Sequence, residues 1–182
     1  MTILIIHGID GFAGIHWQQW LHDQLVAKGH IVLMPNFPNS HHPERKAWLK
    51  TVEKQLVDVN LRELMIVGHS LGVTTGLDFL EQIHEKIKAF ISISGFAEDY
   101  GSDLNRYFLS KKHIDFQEVR KHLENSVVIY SDNDPYLSQD VLYLVAEGLN
   151  VSPKIIPNGG HLNTDSGYTT FSYLLKTIEN LL

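Results

Sequence analysis

Short apolar runs and helix-period stripes alternate along the chain from one end to the other. The runs at 3–7, 31–34, 64–68, 89–94, 126–131 and 154–156 are strand-sized and bounded by turn residues. They are apolar throughout rather than at every second position, the pattern of strands covered by helices on both faces. Between them, Trp17, Trp20, Leu21 and Leu25 fall on one face of a helix predicted over 15–28, and Trp48, Val52 and Leu56 on one over 44–57. Behind the third run, Leu71, Thr74, Leu77 or Asp78, and Leu80 or Ile83 continue the helical spacing. Two later stripes follow, Val141, Leu142, Val145 and Leu149, then Phe171, Leu174, Leu175, Ile178 and Leu182. Asn163, Thr164 and Asp165 read as a start signal for the last helix. Alternation of this kind requires crossover connections, so it predicts a three-layer αβα fold around about six parallel strands.

No repeat or linker interrupts the pattern, and a single domain over 1–182 is expected. The least regular stretch is 95–112, which places Phe96, Tyr100, Leu104, Tyr107 and Phe108 among charged residues. It reads either as a small cap and pocket wall or as a mobile surface loop.

Composition narrows the function classes. A net charge of −6 gives no basic face for a phosphate backbone, which argues against nucleic acid as a partner. No apolar run is long enough for a spanning helix. The run near the N-terminus is too short for a signal-peptide core and has no Lys or Arg before it, so neither membrane nor export is expected and a cytoplasmic location is. Zero cysteines exclude disulfides, thiolate metal sites and a cysteine nucleophile together.

The chemistry gathers at Gly68-His69-Ser70-Leu71-Gly72, a G-x-S-x-G corner between an apolar run and a helical pattern. Such a corner holds its serine in a strained backbone conformation, and the positions two before and two after must be small for helix and strand to approach. Ser70 is therefore the candidate nucleophile. A serine hydroxyl needs a base, commonly a histidine oriented by a carboxylate. The fifth run ends in Ser131-Asp132-Asn133-Asp134-Pro135, and the sixth leads to Asn158-Gly159-Gly160-His161. Both loops fall at the carboxyl edge of the predicted sheet, and the order Ser, Asp, His is that of α/β-hydrolases. His161 is the candidate base, with His7 and His69 expected to pack around the site, and His22, His30, His84, His113 and His122 expected on the surface. Asp134 is favoured as the orienting carboxylate because Pro135 stiffens its position, with Asp132 as a turn-former that bonds backbone amides. The oxyanion donors expected are the backbone N–H groups of Leu71 and of Ile9, in the glycine-rich loop after the first run. Gly8, Gly11 and Gly14 do not have the dinucleotide spacing, and His7, Asp10, His16, His41 and His42 lack metal-ligand spacing, so neither cofactor nor metal is expected.

In combination, LIIHGIDG, HWQQWL, MPNFP, VGHSLG, SISGFA, SDNDP and GGH resemble the small serine hydrolases of the α/β-hydrolase superfamily typified by YdeN and retinoblastoma-binding protein nine. The resemblance spans nearly the whole chain. It implies a compact α/β-hydrolase fold with strand order 2-1-3-4-5-6, and a triad of Ser70, Asp134 and His161. The second relative's name points to the retinoblastoma protein, whose recognition commonly uses a cysteine-containing motif. With no cysteine here, that partner is not carried over.

The expected function is hydrolysis of small carboxylic esters or related acyl compounds through an acyl-Ser70 intermediate, with a small acyl substrate as the partner. Phe12, Phe96, Tyr100 and Tyr136 are the expected pocket walls. The competing expectation is a protein-interaction module on the same scaffold with little or no turnover.

Overall fold

In the computed structural model, which describes residues 1–182, the apolar runs become β1 (Thr2–Ile6), β2 (Ile31–Leu33), β3 (Leu64–His69), β4 (Ile87–Ile93), β5 (Leu123–Ser131) and β6 (Lys154–Ile156). All pair in parallel in one sheet, in the order β2-β1-β3-β4-β5-β6. The predicted strand order holds, and the sheet reverses its winding between β1 and β3, where a parallel sheet opens a crevice at its carboxyl edge.

Alternate residues of each central strand feed opposite layers. Leu4, Ile6, Ile66 and Phe90 point into one core, while Ile3, Ile5, Val67 and Ile91 point into the other. The helix sequence follows the same division. α1 (Gln18–Ala27) and α7 (Ser172–Glu179) cover the second layer through Leu21, Leu25, Leu174 and Ile178. The first layer takes α2 (Arg45–Gln55), α3 (Leu71–Leu80), α5 (Phe116–Lys121) and α6 (Gln139–Leu149), with Trp48, Leu77, Val119 and Leu142 as anchors. Each such fully buried apolar side chain contributes about 1.5–3 kcal/mol relative to exposure. No helix is long and apolar enough to cross a membrane.

Several boundaries differ from the periodicity for local reasons. α1 starts at Gln18 rather than near residue 15 because His16 takes φ 59°, a left-handed conformation no helix admits. Asn163 does cap a start, but of the 3₁₀ turn Thr164–Ser166, where its side chain accepts from the Ser166 N–H. α7 begins only at Ser172. His122, expected on the surface, is buried, with Nδ1 donating to the Leu80 carbonyl.

The stretch after β4 is an ordered wall holding a short helix α4 (Arg106–Leu109). Arg45 ties it down: its guanidinium makes two bonds to the Asp78 carboxylate at 2.7 and 2.9 Å and donates to the carbonyls of Phe108 and Lys112. A charge pair this buried costs desolvation on both sides. With Nη1 also bonded to the cap carbonyls, it fixes where the cap sits relative to α3.

Candidate active site

At the end of β3 the chain turns so tightly that Ser70 sits at φ 55°, ψ −124°, outside the ordinary regions for a side-chain-bearing residue. Such a conformation costs on the order of 1–3 kcal/mol and persists only where packing enforces it. The flanking glycines show the enforcement. A Cβ on Gly68 would come within 2.9 Å of the Val73 backbone, and one on Gly72 within 2.4 Å of the Ile6 carbonyl oxygen. Gly8 does the same for the neighbouring loop, since a Cβ there would lie 2.9 Å from Ser70 Cβ. The loop after β1 thus lies directly against the serine. Its Ile9 N–H has no partner in the protein, whereas Asp10 N–H donates to Ser40 and Gly11 N–H to Gly8. Leu71 provides the first N–H of α3, at the positive end of that helix.

The two loops beyond β5 and β6 meet beside this corner. His161 Nδ1 lies 2.7 Å from Asp134 Oδ2, and the Asp134 side chain is fully buried. Asp134 Oδ1 accepts from the N–H groups of Tyr136 and Leu137, at 2.9 and 3.2 Å. A carboxylate so surrounded can only accept from the imidazole, so the ring hydrogen sits on Nδ1 and the Nε2 lone pair is left available. Asp132 does something else: its Oδ1 accepts from the Asn158 N–H at 2.7 Å and so binds the two loops together. Ser70 and His161 line one cavity, but the Ser70 hydroxyl has no hydrogen bond to the imidazole in this state. Bonds of this kind commonly tighten only around substrate.

Two further imidazoles pack around the corner, held by fixed roles. His7 Nε2 accepts from the Phe37 N–H while its Nδ1 donates to the Gly8 carbonyl, which requires the neutral ring. His69 Nε2 donates to the His161 carbonyl at 3.0 Å, so the residue before the serine pins the loop carrying the candidate base. Burial holds both imidazoles below the ordinary histidine value, His69 far below it. The unfolded chain, whose histidines titrate near 6.5, therefore binds more protons as pH falls from about 7, and stability falls with it. Each of the two groups can cost up to about 1.4 kcal/mol per pH unit across that window. Urea unfolding followed from pH 7.5 to 5 should show a falling midpoint. A flat profile would mean these rings charge as easily in the fold as outside it.

The cavity over Ser70 has a volume of about 580 Å³. Of the expected walls, Phe96, Tyr100 and Tyr136 line it, and so does Ile9, the expected oxyanion donor. Phe12 does not. It sits on a turn closed by Ile15 N–H to the Phe12 carbonyl, and it is 58% exposed, outside the wall. His16, Asn163 and Asp165 also line the cavity. No local pattern marks Asn163 and Asp165 for this role, since both resemble a helix start. His16 was readable only as an imidazole near a glycine-rich loop.

YdeN of Bacillus subtilis, named as a hydrolase, is 29% identical over 181 residues, covering 98% of this chain and 94% of its own. The crystal structure of the B. subtilis ydeN gene product superposes with a TM-score of 0.92 at 25% identity, over 99% of this chain and 97% of that one. A YdeN-like hydrolase structure from Pectobacterium atrosepticum shares the fold, with a TM-score of 0.73 at 16% identity over 100% and 92% of the two chains. The family model described as serine hydrolase matches residues 3–180, and the chain belongs to that family, a hydrolase of the α/β-hydrolase superfamily.

Proposed function

We propose that the protein cleaves small carboxylic esters through an acyl-Ser70 intermediate. Ser70 Oγ attacks the ester carbonyl carbon while His161 Nε2 takes its proton, and Asp134 holds the ring and stabilises the cation that forms. The oxyanion lies between the N–H groups of Leu71 and Ile9, each such donor worth roughly 3 kcal/mol of barrier. His161 then passes the proton to the departing alcohol oxygen. Water, deprotonated by His161, attacks the acyl carbon in the second half and releases the acid and Ser70. The observation that carries this reading is the pairing of His161 with a fully buried, doubly amide-bonded Asp134, beside a strained serine in the same cavity.

A fluorophosphonate probe tests it, because the probe reports an activated serine without knowledge of the substrate. The wild type should label within minutes and Ser70→Ala not at all. Failure of the folded wild type to label would instead favour an interaction module on a hydrolase scaffold.

A further inference from the structure

The cavity has two unlike walls, and the mechanism decides which half of an ester meets each. The group that removes the serine proton returns it to the leaving oxygen, so the alcohol half must sit beside His161. We propose that this alcohol is a neutral, hydroxylated group of glycerol or sugar type, joined to an apolar acyl chain. The inference rests on the acyl-Ser70 reading and adds to it the class of leaving group.

The wall near His161 carries both donors and acceptors and no cation. Asn163 is only 6% exposed. Its Oδ1 accepts from the N–H and the hydroxyl of Ser166, at 3.2 and 3.1 Å, which fixes the amide orientation and leaves Nδ2 with no partner in the protein. His16 Nδ1 accepts from the Thr164 N–H, so its ring hydrogen lies on Nε2, which is likewise unpartnered. Asp165 contributes a carboxylate acceptor on this wall, and Asp10, on the loop after β1, lines the cavity and meets exposed His41. No Lys or Arg lines the cavity.

A hydroxyl both donates and accepts, so a polyol can satisfy the amide and imidazole hydrogens and the carboxylate together. An apolar alcohol would leave the buried Asn163 donors unpaired after displacing water, which costs more than the bond itself is worth. An anionic alcohol would face the Asp165 carboxylate with no counter-charge. Apolar lining suited to the acyl chain comes from the stretch after β4, through Phe96, Tyr100 and Leu104.

The test holds the acyl group constant and varies the alcohol. Steady-state kcat/KM would be measured for glycerol monobutyrate, 2-methoxyethyl butyrate, butyrylcholine and butyryl-coenzyme A, with p-nitrophenyl butyrate as the generic ester. Methoxyethanol matches glycerol closely in intrinsic leaving ability but has no free hydroxyl after esterification. Glycerol monobutyrate should exceed it by about tenfold, the yield of one or two added hydrogen bonds. Asn163→Asp keeps the acceptor to Ser166 and removes the two donors, and it should reduce that ratio by about fivefold. Equal rates for the two neutral esters, preference for the choline or coenzyme A ester, or an unchanged ratio in Asn163→Asp would each overturn the inference. Absence of turnover with p-nitrophenyl butyrate would instead overturn the ester-hydrolase reading beneath it.

Discussion

His161→Ala is expected to lower turnover of p-nitrophenyl butyrate by about 10⁴- to 10⁶-fold while the melting temperature stays within a few degrees of the wild type. The two parts of this prediction have separate grounds. Of the imidazoles lining the Ser70 cavity, only that of His161 has a ring nitrogen held by a buried carboxylate. Removing the ring leaves Asp134 bonded to the Tyr136 and Leu137 N–H groups. The backbone of residue 161 also keeps its bond from His69. The fold therefore loses one side-chain contact, worth about 1 kcal/mol, or about 2–4 °C in a chain of this size. Ser70→Ala should match it in turnover, and the double variant should be no worse than either, because serine and base act as one unit. Near-normal turnover in His161→Ala would mean that another imidazole takes the proton.

The legible part of this molecule is what backbone sterics and burial write into short windows. The corner at Ser70 could be read because two glycines are needed where β3 and α3 approach within backbone contact, and no other residue fits at Gly72. The six strands could be read because those buried on both faces must be apolar throughout. The illegible part depends on where loops return in space. Phe12 and Tyr136 are both exposed aromatics in loops, yet only Tyr136 reaches the cavity, where its ring meets His161 edge-on at 5.0 Å. Asn163 carries a helix-start signal whose capping bond is real, but the bond closes a single turn and leaves the amide hydrogens unpartnered in a residue that lines the cavity. Arg45 lies within the helix predicted over 44–57. Its pairing with Asp78 and the cap carbonyls is a long-range fact that no local period encodes.

Asp134→Asn should cost about 10⁴-fold in kcat, and Asp132→Asn no more than a few-fold. Both changes are isosteric, so the difference isolates what each carboxylate does. At position 134 the amide oxygen can keep the Tyr136 and Leu137 N–H bonds, which turns the amide hydrogens toward His161 Nδ1. The ring must then accept there and carry its hydrogen on Nε2, the nitrogen that has to take the serine proton. At position 132 the amide oxygen can still accept from the Asn158 N–H, and the two loops remain joined. Nitrogen-15 shifts of the His161 ring should move the hydrogen from Nδ1 to Nε2 in Asp134→Asn and leave it in place in Asp132→Asn. Loss of turnover in Asp132→Asn with Asp134→Asn unimpaired would transfer the orienting role to Asp132. It would also require the 2.7 Å contact between Asp134 and His161 to be incidental to catalysis.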